Sequence, residues 1–313
     1  MSCNKSFCKQ IFARGINWFL VALLSIALAL TACSPTGQTP AQYFFDDLGR
    51  LVAINGTPQR IVSLAPSNTE ILFALGLGDK VVGVTDYCDY PPEALEKEKV
   101  GGYADPDIEK LVALNPDLIL VAHGTPMDVI DTMVGLGLTL FGIKTSDLDD
   151  ALNDIRRIGE ITDNELEAQA LTSEMAVRIQ AVTNQTEELE QRPRVFYIVW
   201  HDPLWTAGSE TFINELIEKG GGVNICGNIT GYPTISIEEV VARNPEVIIT
   251  SSWPGVYEWA MNETALNATD ARQNDRVFAC DDNLVQRPGP RLVQGLEWFA
   301  HFIHPEIFEE PED

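Results

Sequence analysis

Ile108-Glu-Lys-Leu-Val-Ala-Leu-Asn-Pro-Asp-Leu-Ile-Leu120 and Ile237-Glu-Glu-Val-Val-Ala-Arg-Asn-Pro-Glu-Val-Ile-Ile249 are two copies of one pattern, I-E-x-[LV]-V-A-x-N-P-[DE] followed by an aliphatic run. The pattern predicts a short helix feeding a buried strand. Asp107 and Ser236 stand where an N-cap belongs, and Ser236 with Glu239 spells a capping box. Asn115 and Asn244 suit the left-handed residue that ends a helix, and Pro116 and Pro245 forbid its continuation. The aliphatic runs read as parallel strands covered on both faces.

A second match lies upstream of the first. Arg60-Ile-Val-Ser-Leu opens a strand–loop–helix unit that ends at Gly76-Leu77-Gly78, and Arg194-Val-Phe-Tyr-Ile opens one that ends at Gly220-Gly221-Gly222. Arg60 is separated from Arg194 by nearly the distance that separates Ile108 from Ile237. The chain therefore reads as two related α/β lobes, a duplication far longer than the period of a solenoid. Its 313 residues suffice for two such lobes, and a hydrophobic fraction of 45% is ordinary for globular proteins.

The formal charge is −25, and residues 1–32 carry Lys5, Lys9 and Arg14 with no acid, so the remainder is more acidic still. That balance excludes nucleic acid as a partner and argues against a large anionic ligand held by a basic patch. Lys5, Lys9 and Arg14 precede the apolar run Ile16–Leu30, the layout of an export signal. Leu30-Thr31-Ala32-Cys33 resembles the lipobox of bacterial lipoproteins, which implies a lipid on Cys33. Residues 34–42, rich in Pro, Thr and Gln, read as a tether. Cys88, Cys226 and Cys280 remain. Cys226 and Cys280 fall in the same lobe and could pair, since an exported location permits disulfides.

Residues 43–54 alternate around Asp47-Leu48-Gly49-Arg50 as an opening hairpin. Ser67 with Glu70 spells a capping box for the first helix of the N-terminal lobe. Between the lobes, Leu148, Leu152, Ile155, Ile158, Ile161, Leu166, Leu171, Met175 and Ile179 keep helical spacing without a proline, with Thr162-Asp163-Asn164 suited to capping a fresh helix. A packed helical connection, and not a floppy linker, is expected. The resulting boundaries are a signal peptide at 1–32, a tether at 33–42, an N-terminal lobe at 43–146, a linking helical segment at 147–192, a C-terminal lobe at 193–305 and an acidic tail at 306–313, read as disordered.

The loops that follow the strands carry Tyr87, Tyr103, Trp200, Trp205, Tyr232 and Trp253. In open α/β sheets the ligand crevice lies beyond the carboxyl ends of the strands, so aromatics on both lobes would clamp a flat apolar ligand there. His123 and His201 hold similar strand-end positions. Ser67, His201, Asp282 and Arg287 are the polar candidates for the rim of the ligand or an axial position. No metal cluster of Cys and His is spelled out. The motifs of serine hydrolases, zinc proteases and nucleotide-binding loops are absent, so no enzyme activity is expected.

Asp47-Leu-Gly-Arg50, Arg60-Ile-Val-Ser-Leu-Ala-Pro-Ser67, Asp86-Tyr-Cys-Asp-Tyr-Pro91, Asp202-Pro-Leu-Trp-Thr-Ala-Gly208 and Arg287-Pro-Gly-Pro-Arg291 resemble the helical-backbone (class III) periplasmic binding proteins of ABC importers, the last three stretches the cobalamin-binding branch. The resemblance implies two Rossmann-like lobes joined by a long helix, with a corrinoid held in the cleft as transported ligand and no cofactor. By position Tyr87, Tyr103, Trp205 and Tyr232 match the family's cleft aromatics, while Ala122-His123 departs from the cobalamin binders. Glu109 and Glu238 match the positions at which the family docks on its permease. What is implied is a monomeric, lipid-anchored protein on the outer face of the cytoplasmic membrane, or in the periplasm, partnered by a permease dimer and its ATPase subunits. Haem or a ferric siderophore is the rival ligand; anionic siderophores call for more Arg and Lys than the cleft loops offer. A cell-surface enzyme or adhesion module is disfavoured by the missing motifs and by the cleft aromatics.

Overall fold

The structure, a computed structural model, describes residues 41–122 and 124–311. Cys33 and His123 lie outside the described residues, as do the signal peptide and nearly all of the tether.

The chain enters through an antiparallel hairpin, β1 (Gln42–Phe45) and β2 (Leu51–Ile54). Asp46 ties its turn: Oδ1 accepts the Arg50 amide at 2.8 Å, and Oδ2 accepts the Arg50 guanidinium and the Gly142 amide. Two parallel sheets follow. The N-terminal sheet holds β3 (Ile61–Ser63), β4 (Val81–Val84), β5 (Glu98–Lys99), β6 (Leu118–Ala122) and β7 (Leu140–Ile143), in the order β5-β4-β3-β6-β7. The C-terminal sheet holds β8 (Arg194–Ile198), β11 (Val223–Asn224), β12 (Val247–Ser251) and β13 (Val277–Cys280), in the order β11-β8-β12-β13. Matching β3 to β8 and β6 to β12 makes β4-β3-β6-β7 and β11-β8-β12-β13 the same arrangement. The registers agree as well: Ile61 pairs with Leu118, and the equivalent Val195 with Val247.

The geometry explains why the repeat keeps its letters. In α2 (Ile108–Leu114) and α7 (Ile237–Arg243), Asp107 and Ser236 accept the amides of Lys110 and Glu239, and Asn115 and Asn244 end the helices with φ of 45°. The acid after the proline caps the strand before it: Asp117 accepts the Arg60 amide at 2.9 Å, and Glu246 the Arg194 amide at 2.9 Å. Each arginine side chain returns to the helix end, Arg60 Nε to the Leu114 carbonyl and Arg194 Nε to that of Asn244. The full capping box does not form, because the Glu239 carboxylate turns to Arg243 at 2.8 Å.

Strand residues alternate between two cores in each lobe. Ile61, Leu118 and Leu120 face one, Val62, Ile119 and Val121 the other; Val195, Tyr197 and Ile249 face one, Phe196, Ile198 and Ile248 the other. Covered on both sides, these strands need an unbroken apolar run.

The linking segment is two helices, α4 (Leu148–Thr162) and α5 (Glu165–Thr186), and not one. Asp163, in the left-handed conformation with φ of 62°, ends the first. Gly159 permits the return, since a Cβ there would meet that of Ala168 at 2.4 Å. Leu148 and Ala151 pack into the C-terminal lobe's core, whereas Ile155, Ile158 and Ile161 fill the N-terminal one. Ala168 and Met175 of α5 are in the N-terminal core, and Val182 is back in the C-terminal one. The connection is thus shared core, as the apolar spacing predicts.

Two expectations are corrected. Cys226 and Cys280 do not pair, and both are free buried thiols, as is Cys88. Cys226 belongs to the core with Phe196 and Ile248, Cys280 to the core with Tyr197 and Ile249, so the sheet stands between them. The acidic tail is docked at its start, where Phe308 packs against the C-terminal core and its carbonyl lies 2.9 Å from His301 Nδ1.

Candidate functional site

The C-terminal half of the site is built on the loop after β8. β9 (Trp200–His201) and β10 (Leu204–Trp205) form a two-residue ribbon that sets Trp200 opposite Trp205. Segment 205–209 runs beside the Tyr232 loop: Thr206 N donates to the Pro233 carbonyl at 3.0 Å and Gly208 N to that of Gly231 at 2.8 Å. Gly208 is obligatory, since a Cβ would meet the Ile229 oxygen at 1.8 Å. Trp253 follows β12, its amide 3.4 Å from Ser251 Oγ, which itself donates to the Val199 carbonyl. Val199, Trp200, Asp202, Pro203, Trp205 and Trp253 together line a cavity of about 470 Å³.

The N-terminal half is built on the loops after β3, β4, β5, β6 and β7. Tyr87 and Tyr103 approach with ring centroids 6.4 Å apart. Tyr103, Ser67, Asn68, Ala122, Ile143 and Thr145 line a second cavity of about 300 Å³, closed from the C-terminal lobe by Gln286 and Pro288. A larger hollow of about 740 Å³ is bordered by Glu70, Tyr90, Lys97 and Arg291, and none of the candidate ligand residues lines it.

The polar candidates take different places. His201 is sandwiched between Trp200 at 4.6 Å and Trp259 of α8 (Val256–Asn262) at 5.6 Å, with a buried Nδ1 that has no partner among the described residues. Asp282 opens α10 (Asp282–Val285) and is a knot of the scaffold. Its Oδ1 accepts Tyr197 Oη and Gln286 Nε2, and its Oδ2 accepts the Ser252 amide and hydroxyl. Burial lifts its pKa above the ordinary carboxylate value, against the pull of those donors. Arg287 is committed across the lobes: Nη1 lies 2.5 Å from Asp89 and 3.6 Å from Glu70. Its hydrogen bond holds the Asp89 carboxyl below the usual range.

Sequence reading missed the centre of this inter-lobe contact. Glu70 caps nothing; α1 (Pro66–Ala74) starts from Ala65 without a side-chain cap. The Glu70 carboxylate, buried, receives Arg291 Nε at 2.9 Å and Nη2 at 2.6 Å, and Arg291 lies 3.8 Å over the Tyr90 ring. Asn68 and Gln286 were also missed. The only sequence signal for this contact is the cluster Arg287-Pro-Gly-Pro-Arg291, two arginines beside two prolines.

Two lobes, a shared helical connection and a cleft carrying aromatics from both sides describe a solute-binding protein, and comparison with known proteins agrees. The periplasmic binding protein family model matches residues 61–284. The chain belongs to this family. It is 35% identical to the ABC transporter substrate-binding lipoprotein YvrC of Bacillus subtilis, over 92% of this chain and 97% of that protein. The structure of the periplasmic vitamin B12 binding protein BtuF of Vibrio cholerae is similar, with a TM-score of 0.70 and 33% identity over 79% of this chain and 97% of that one. So is that of the periplasmic haem-binding protein RhuT of Roseiflexus, with a TM-score of 0.71 and 27% identity over 79% and 98%. Proteins of this family bind solutes and are not enzymes. In ABC importers such substrate-binding proteins, which work outside the cytoplasm, deliver a small ligand to a permease and its ATPase, and this chain shares that role.

Proposed function

We propose that this periplasmic binding protein captures cobalamin or a related corrinoid as a monomer and hands it to its permease, held near the membrane by a lipid on Cys33. The observation that carries the ligand class is the pairing of aromatic surface with spent charge. Three tryptophans line the C-terminal cavity, two tyrosines meet on the N-terminal side, and neither cavity is lined by Lys or Arg. Arg287 and Arg291, the nearby cations, are neutralised by Asp89 and Glu70. A corrinoid is a broad ring with apolar faces and a rim of neutral amides, and it asks for this combination. Haem, the ligand named for RhuT, carries two carboxylates and would draw on free cations. Tyr87, Tyr103, Trp200, Trp205 and Tyr232 supply the ring surface in this reading, with Ser67, His201 and Asp282 at its edge, and Arg287 fixing the loop of Tyr87. The absorption spectrum of the protein purified from its own host tests the reading: corrinoid bands support it, and a haem Soret band contradicts it.

A further inference from the structure

The cavity between the lobes contains a side chain that the fold leaves unfinished. Asn68 is 1% exposed, and neither its Oδ1 nor its Nδ2 has a hydrogen-bond partner among the described residues. Buried amides without partners are uncommon, because each abandoned group costs about 1–3 kcal/mol. Its neighbours are accounted for. Thr69 Oγ1 donates to Ser63 Oγ at 2.8 Å, and Glu70 holds Arg291. Asn68 instead lines the cavity of about 300 Å³ together with Ser67, Tyr103, Thr145 and Gln286. Gln286 is anchored there by its Nε2 bond to Asp282, and Thr145 by its 2.7 Å bond to Asp154.

An asparagine offers one acceptor and a pair of donors side by side. A primary carboxamide satisfies both at once, donating to Oδ1 and accepting from Nδ2. A carboxylate can only accept; it would leave Oδ1 facing a negative oxygen, in a cavity lined by no Lys or Arg and with the adjacent arginines already paired. The volume suits a side arm and not a macrocycle. Resting on the corrinoid reading above, we propose that this cavity receives one carboxamide arm of the ligand's rim, with Asn68 as its reciprocal hydrogen-bond partner, and that it selects amide over carboxylate at that position.

The test is calorimetric titration of the wild type and Asn68→Leu with cobinamide, and with cobinamide in which one peripheral amide has been hydrolysed to a carboxylate. Melting temperatures of both proteins are recorded alongside. Leucine has a similar volume and no polar atoms, so the variant is expected to melt at or above the wild-type temperature while binding cobinamide about tenfold or more weakly, as the loss of two hydrogen bonds requires. Of the separated hydrolysed isomers, the one altered at this arm is expected to bind the wild type about tenfold or more weakly than cobinamide and the variant with a smaller penalty. Undiminished cobinamide binding by Asn68→Leu overturns the inference, and so does a lower melting temperature, which would mean that Asn68 serves the fold. Failure of the wild type to bind cobinamide overturns the corrinoid reading itself, and the inference with it.

Discussion

Asp154 shows what one residue costs this fold. It is 2% exposed on α4, and burial pushes its carboxyl up from 3.8 to about 6, opposed by the hydroxyl of Thr145 and by Arg157 at 3.5 Å. At pH 7 the native state must keep that charge in a desolvated place, whereas the unfolded chain need not. As the pH falls through 6 towards 3.8 the native carboxyl protonates first, so this group's contribution to stability rises across that window. A shift of this size corresponds to about 3 kcal/mol at pH 7. Asp154→Asn, which can still accept from Thr145, is expected to be more stable than the wild type at pH 7, with the gain fading as the pH approaches 4. Urea melts at several pH values measure the difference; a gain that does not depend on pH would contradict the assignment.

Among the elements, the contact of α1 with the segment leading into α11 (Leu292–Ile303) binds the lobes independently of α4 and α5. Glu70 and Arg291 make a bidentate pair with the carboxylate 2% exposed. Removing one partner of a buried pair leaves the other charge uncompensated, at about 3–5 kcal/mol. Glu70→Ala is therefore expected to lower the unfolding free energy by that amount in urea, and a loss below about 1 kcal/mol would show that the pair is dispensable. The same residue shows where the sequence stops being legible. Ser67-x-x-Glu70 has the local form of a capping box, but the carboxylate's partner is 221 residues away, and no local pattern registers such a distance. What is encoded locally was readable: left-handed Asn115 and Asn244, the alternating double-faced strands, and the helix restart at Asp163. Cys226 and Cys280 were misread because chain proximity says nothing about which face of a sheet a side chain takes. Asn68 left no trace at all, since an unpaired amide is visible only once its surroundings are in place.

At the scale of the molecule, the duplication places Glu109 and Glu238 at equivalent first-turn positions of α2 and α7, both exposed. A helix dipole accounts for a glutamate at either position, at about 0.3–1 kcal/mol, but not for its repetition on two lobes. Such a pair suits a permease with two like subunits, each presenting an arginine. Reversing both charges (Glu109→Arg with Glu238→Arg) is expected to abolish uptake in whole cells while solution affinity for the ligand stays near wild type; loss of both together would make the pair structural. Anchoring is tested separately. Cys33→Ser is expected to leave the membrane fraction, because the lipid proposed on Cys33 is what would supply the attachment, and unchanged fractionation and mass would contradict that proposal. Whether the ligand is a corrinoid clamped by aromatics is decided by calorimetric titration with cobalamin, cobinamide, haem and a ferric hydroxamate, using the wild type and Trp205→Ala. A corrinoid is expected to bind with Kd below about 1 μM, and Trp205→Ala to weaken it roughly thirtyfold, about 2 kcal/mol for one cleft aromatic. Binding of haem or the hydroxamate with no response to either corrinoid would contradict it.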